Sequence, residues 1–223
     1  MTSTRTNAGE PDLAERAQTL LDWTRLNATA LTAGAIVVVI AAAGYWFVTR
    51  SREIRLANAD KALSTAKQSL VAGNMALAQS DLQKVYTQYG NTLPGVEAAI
   101  SLAEIDYDTG KIQDGITLLQ KIAGSGAASE VETSVRSLEG DGYMQMNKPA
   151  DAAKAYESAA ATTSFENEKA SVTAKAARAY QVAGDTAKAR ELWTALANDP
   201  KAESLAPEAR VRLGELTAQV ATK

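Results

Sequence analysis

The 223 residues include no His and no Cys, which removes nucleophile–His pairs, thiol catalysis and the usual zinc sites. Carboxylates, lysines and hydroxyls remain. The densest acidic cluster, Glu104, Asp106 and Asp108, alternates with Ile105 and Tyr107. On a helix that spacing spreads the carboxylates around the circumference instead of pairing them for acid–base work. A calcium loop starting at Asp106 puts Thr117 at the twelfth place, where a bidentate Glu is needed, and Lys111 where the glycine belongs. Gly124, Ser125 and Gly126 lack the preceding strand and the following Lys-Ser/Thr of a phosphate loop. No catalytic, cofactor or metal residue is expected, and the chain reads as a non-enzyme. A net charge of −3, with no basic stripe interleaved with aromatics, excludes nucleic acid and leaves proteins as partners.

The elements that would present such a partner surface are written in a repeat. Gly73, Gly110, Asn147 and Gly184 stand 37 positions apart. Each is followed by a small residue (Ala78, Gly115, Ala152, Ala189) and then a large one (Leu82, Leu119, Tyr156, Trp193). A fixed period in this range signals stacked supersecondary units that cannot bury their apolar faces alone. Apolar residues recur at helical spacing on both sides of each Gly or Asn, for instance Ala99, Leu102 and Ala103 before Gly110 and Ile112, Ile116 and Leu119 after it. Each unit is therefore a helix pair. The Gly or Asn closes the first helix in the left-handed conformation, and the small residue lets the two helices approach.

The third and fourth units, with Gly140, Tyr143, Asn147, Ala152, Tyr156 and Ala159, then Ala177, Tyr180, Gly184, Ala189, Trp193 and Leu196, resemble a tetratricopeptide helix pair, whose period is about 34 residues. The surplus is expected in the connections Tyr89 to Pro94 and Ala123 to Ala128. A last amphipathic run, with Ala209, Val211, Leu213 and Leu216, reads as a terminal cap. The expected fold is all-α: a single transmembrane helix, then a tetratricopeptide-like solenoid of about four helix pairs plus the cap. In such an array the first helix of each pair lines the concave side, where outward positions are Glu97, Ile100, Glu104, Tyr107, Ser137, Asp141, Met144, Ala174, Arg178 and Gln181.

Residues 26–48 carry no charge, enough at about 1.5 Å per residue to cross a hydrocarbon layer of about 30 Å. Trp23 lies at one flank, Tyr45 and Trp46 at the other, the placing of interfacial aromatics. An Ala41–Ala43 cleavage site competes with this reading. The apolar run continues past it to Val48, however, and Glu10, Asp12, Glu15 and Asp22 precede it, unlike a secretory leader. The organisation is thus a tail over 1–25 with a short amphipathic stretch (Leu13, Ala17, Leu20, Thr24), a span over 26–48, and repeats over 49–223. Neither Gly nor Pro falls between Tyr45 and Val71, so the spanning helix is expected to run on into the first repeat. Ala30, Gly34, Ala41 and Gly44 form a small-residue stripe suited to packing a neighbouring helix. Arg50, Arg52, Arg55, Lys61 and Lys67 outnumber Arg5, Arg16 and Arg25, which by the positive-inside tendency puts the repeats in the cytosol. A long tail, though, translocates largely regardless of charge.

The stretch Leu20 to Ser64, with Gly44, Tyr45, Trp46 and Phe47 at the end of the span and an Arg/Ala-rich helix after it, resembles the YfgM-like ancillary subunits of the bacterial Sec translocon. The resemblance covers nearly the whole chain. It implies an inner-membrane protein with its N-terminus in the cytosol and its repeats in the periplasm. It also implies association with Sec translocon channel subunits and with a membrane-anchored periplasmic chaperone of prolyl isomerase type. The expected function is a non-enzymatic scaffold at the export site that holds partners or unfolded exported chains. An adaptor for cell-envelope assembly or division and a cytosol-facing signalling module share the same architecture.

Overall fold

The computed structural model describes residues 18, 21–24 and 26–221, and every regular element among them is helical. These are α1 (Ala28–Val71), α2 (Met75–Tyr89), α3 (Leu93–Asp108), α4 (Ile112–Ile122), α5 (Glu132–Gln145), α6 (Pro149–Thr162), α7 (Glu166–Ala183), α8 (Thr186–Asn198) and α9 (Ala206–Ala221). Short 3-10 turns lie at Gly126–Ala128 and Pro200–Ala202. The chain divides into two compact units between Ile54 and Arg55.

In the first unit, consecutive residues Ile36 to Ile40 are each at least 59% exposed. They step round the helix by about 100° each, so the apolar surface faces outward on every side. A helix apolar all round belongs in a core or a membrane, and this one is long and apolar enough to cross a membrane. The expected amphipathic stretch lies, apart from Thr24, outside the described residues, as does Arg25.

In the second unit, the four-fold column of reversals takes the left-handed backbone. Gly73, Gly110, Asn147 and Gly184 have φ of 75°, 79°, 56° and 82°. The same pair of capping bonds recurs at each. At Gly110, its N–H reaches the Tyr107 carbonyl at 3.1 Å, and the Lys111 N–H reaches that of Asp106 at 2.7 Å. At Asn147 the corresponding bonds run to Met144 (3.0 Å) and from Lys148 to Tyr143 (2.9 Å). This double bond satisfies carbonyls that the helix end would leave orphaned. The helices that follow start on local signals: Asn74 and Asp185 accept from the backbone N–H of Leu77 and Lys188, and Pro149 opens α6.

Successive helices from α2 to α9 pack on one another in chain order, as nearest-neighbour stacking requires. All members of the small and large columns are buried: Ala78, Ala152 and Ala189 at 0%, and Leu82, Leu119, Tyr156 and Trp193 at no more than 3%. Gly115 is buried with them. The long connection falls at residues 123–131, between α4 and α5, whereas the one after Tyr89 is reduced to 90–92. In the cap, Ala209 and Leu216 are buried at 0% and Leu213 packs against the same cluster. Val211 departs from the expectation and is 61% exposed, because two residues past Ala209 is about 200° round the helix.

Candidate protein-interaction face

The first helices of successive pairs are α1 (beyond Arg55), α3, α5 and α7, continued by α9. Side chains join neighbours along this series. Lys67 of α1 meets Glu97 of α3 at 2.7 Å. Lys175 of α7 donates to both Asp141 oxygens of α5 at 2.9 and 3.0 Å and to Ser137 at 3.1 Å. Arg178 of α7 makes a forked pair with Glu208 of α9 at 2.6 to 3.0 Å. That pair holds the Glu208 carboxyl below its ordinary value, chiefly through the hydrogen bonds from Arg178.

The α3–α5 junction differs. It is bridged by Tyr107, whose hydroxyl donates to the Leu138 carbonyl at 3.1 Å. An open groove of about 250 Å³ lies beside it, with an apolar floor of Ile100, Leu138 and Val172 and the carboxylates of Glu104, Asp141 and Glu168. Asp141 is neutralised by Lys175 and also accepts from the Tyr156 hydroxyl at 2.6 Å. Glu168 accepts from the Thr163 hydroxyl. Among the described residues Glu104 has no hydrogen-bond or ion-pair partner. Partial desolvation, then the Asp108 carboxylate, push its carboxyl above the ordinary value, and Lys67 opposes them. The groove therefore offers apolar side chains, hydroxyls and an acid with no direct partner among the described residues, a chemistry suited to a basic side chain flanked by small apolar ones.

Of the expected interaction residues, Ile100, Glu104 and Asp141 come together in this groove. Glu97 and Arg178 lie on the same helix series but are engaged in ion pairs. Met144 is partly buried against the C-terminal core cluster, and Gln181 is half-buried. Two expectations are corrected. Tyr107 is 7% exposed and belongs to the core, drawn inward by space at Gly115 and Gly142: a Cβ on Gly115 would come within 2.6 Å of its ring, and one on Gly142 would strike its hydroxyl. Ala174 is likewise buried, at 1%. Lys175, Glu168 and Glu208 were not foreseen. One signal pointed toward this face, since Lys67, Glu104, Asp141 and Arg178 are themselves spaced by the repeat and juxtapose two acids at the α3–α5 junction. In the first unit, Ala30, Gly34, Ala41 and Gly44 are exposed, and a Cβ on either glycine would meet nothing within 4 Å.

Helix pairs closed by identical caps, stacked in chain order with their first helices sharing one polar face, define a helical-repeat solenoid of the protein-interaction class. The chain belongs to the tetratricopeptide repeat-like domain family, whose model matches residues 56–176. Similar folds occur in MamA residues 41–end of Desulfovibrio magneticus RS-1, with a TM-score of 0.55 at 16% identity over 73% of this chain and 85% of that one. They also occur in the putative kinesin light chain TPR-like repeats of Podosopora anserina, with a TM-score of 0.52 at 18% identity over 73% and 93%. Likeness at that identity speaks to the fold. Comparison with curated protein sequences gives no match.

Proposed function

We propose that this protein is a membrane-anchored, non-enzymatic scaffold, an ancillary subunit of the Sec translocon that links export to periplasmic chaperones. The observation that carries the reading is the joining in one chain of a tetratricopeptide-like array and an outward-apolar helix long enough to cross a membrane. In this reading residues 1–25 are a cytosolic tail, 26–48 the inner-membrane span and 49–223 a periplasmic repeat domain. Its partners are the Sec channel subunits, a membrane-anchored chaperone of prolyl isomerase type, and unfolded exported chains. The stripe Ala30, Gly34, Ala41 and Gly44 is the side of the span that meets another helix.

The groove at Ile100, Glu104 and Asp141 is where an extended partner segment rests, with Glu104 facing a Lys or Arg of that segment. Anchoring makes weak contacts sufficient, because it raises the effective concentration of a membrane partner to roughly the mM scale. The test is a tagged pulldown of the full chain in mild detergent. Co-purification of Sec channel subunits is the expected result. Recovery of division or wall-synthesis proteins alone replaces the export reading with that of an envelope adaptor. Protease shaving of spheroplasts checks the topology: a periplasmic repeat domain is digested, and a cytosolic one survives.

A further inference from the structure

On a different part of the repeat unit, a groove of about 530 Å³ opens where Arg55 of α1, the end of α2, Asn91 and the end of α4 converge. No carboxylate lines it, which is notable in a chain of net charge −3. Two cations do. One Arg55 Nη donates to the Gln88 carbonyl and the Asn91 side-chain oxygen, both at 2.9 Å; these acceptors are neutral, so its charge is not cancelled and other guanidinium N–H groups remain. Lys121 Nζ lies 5.6 Å from the centre of the Tyr86 ring and has no carboxylate partner among the described residues.

Ser125 lines the same groove, and its Oγ is buried without a hydrogen-bond partner. An orphaned buried hydroxyl is rare and costly. The nearby Glu132 does not cancel the cations, since its carboxylate is taken by the Gly124 N–H at 2.9 and 3.0 Å and by Arg136 at 2.6 Å. Two helix C-termini, of α2 and α4, point partial negative charge here, about half a unit each. Against two full cations, the groove keeps a net charge of roughly +1.

We infer that this groove is an anion site for a phosphate group, held by Lys121, the free N–H groups of Arg55 and the Ser125 hydroxyl. A membrane headgroup is the favoured source. Arg55 follows the end of the apolar segment at Val48 so closely in sequence that chain length alone keeps it within about 25 Å of that end. The headgroup assignment rests on the membrane reading of residues 26–48; the anion chemistry does not.

The test titrates the full chain in neutral detergent micelles with dihexanoyl phosphatidylglycerol, inorganic phosphate and an Asp/Glu-rich peptide, by calorimetry. Saturable lipid binding is expected, about tenfold weaker in Lys121→Gln, weakened in Ser125→Ala, and unchanged in Lys154→Gln, an exposed cation elsewhere. Lys121 is exposed, so its variant keeps the fold. Phosphate binding with the same variant dependence but no lipid binding upholds the anion site and overturns the headgroup. Peptide binding alone overturns the phosphate assignment. Equal binding by wild type and Lys121→Gln, or none by either, overturns the site. If the chain stays soluble without detergent, the membrane reading fails independently of these outcomes.

Discussion

The two halves of the array reach the same fold with different materials. Around α1–α5 the core is mostly aliphatic, with Leu63, Leu82, Val85, Leu102 and Ile105 in one cluster, and Val96, Ile116, Leu119 and Val135 beside the ring of Tyr107 in the next. Around α6–α9 it is built from Tyr156, Tyr180 and Trp193 set among alanines such as Ala152, Ala176, Ala177 and Ala189. Large rings need small neighbours to keep packing density constant, so the C-terminal half sets its rings among alanines, where the N-terminal half mixes aliphatic side chains with Ala98, Ala99 and Ala103. The rings also carry hydroxyls. Tyr156 donates to Asp141 and Tyr180 to Glu157 at 2.6 and 2.7 Å, and burial, aided by that Glu157 bond, pushes the Tyr180 hydroxyl up to about 12. Tyr156 thereby ties the aromatic half to the polar face at Asp141, whereas Tyr107 in the other half bonds a backbone carbonyl, that of Leu138.

This contrast predicts where damage is greatest. Trp193→Ala removes the largest fully buried side chain and costs about 3–5 kcal/mol, a fall of roughly 10–15 °C in melting temperature for a domain of this size. Leu82→Ala, buried at 0% in the other half, costs about 2–5 kcal/mol. Because stacking is between neighbours, hydrogen exchange should locate the first loss in α8 and α9 and the second in α2 and α3. Equal loss along the whole array from either variant would remove the distinction.

Gly140→Ala probes the close approach that rings demand. Its Cβ would come within 2.5 Å of the Tyr156 ring, and overpacking of this kind costs about 1–3 kcal/mol. Urea melts showing no loss would mean that the aromatic half yields as readily as the aliphatic one.

Glu208→Gln tests the polar tie at the C-terminal end. The folded-state carboxyl is held below its ordinary value of 4.5, so its contribution is present above about pH 4.5 and lost as pH falls through the folded value. The pair is partly solvated, with side chains 43% and 31% exposed, which limits it to under about 1 kcal/mol. Melting temperatures of wild type and variant should differ by about 2 °C at pH 7 and converge near pH 3.

Glu104→Gln has the smallest effect and the opposite sign. A carboxyl raised on folding binds its proton more tightly in the folded state, so stability declines as pH rises from its unfolded toward its folded value. The variant should be equal to or slightly more stable than wild type at pH 7, by a few tenths of a kcal/mol. Weaker partner capture by that stable variant would mark Glu104 as a binding residue.

The amino-acid sequence by itself determined the helix pairs, their four left-handed closures and the buried small and large columns. Each depends on contacts within one or two turns of chain, or on a register that repetition makes visible. Tertiary structure alone decided that Tyr107 turns inward, because the room for it comes from Gly142 in the next unit. It also decided that Lys175 reaches Asp141, that Lys67 pairs with Glu97 and not with Glu104, and that Arg55, Lys121 and Ser125 share one groove. These outcomes set side chains from distant helices against one another, and neither periodicity nor propensity records which of two neighbouring faces wins the space between them.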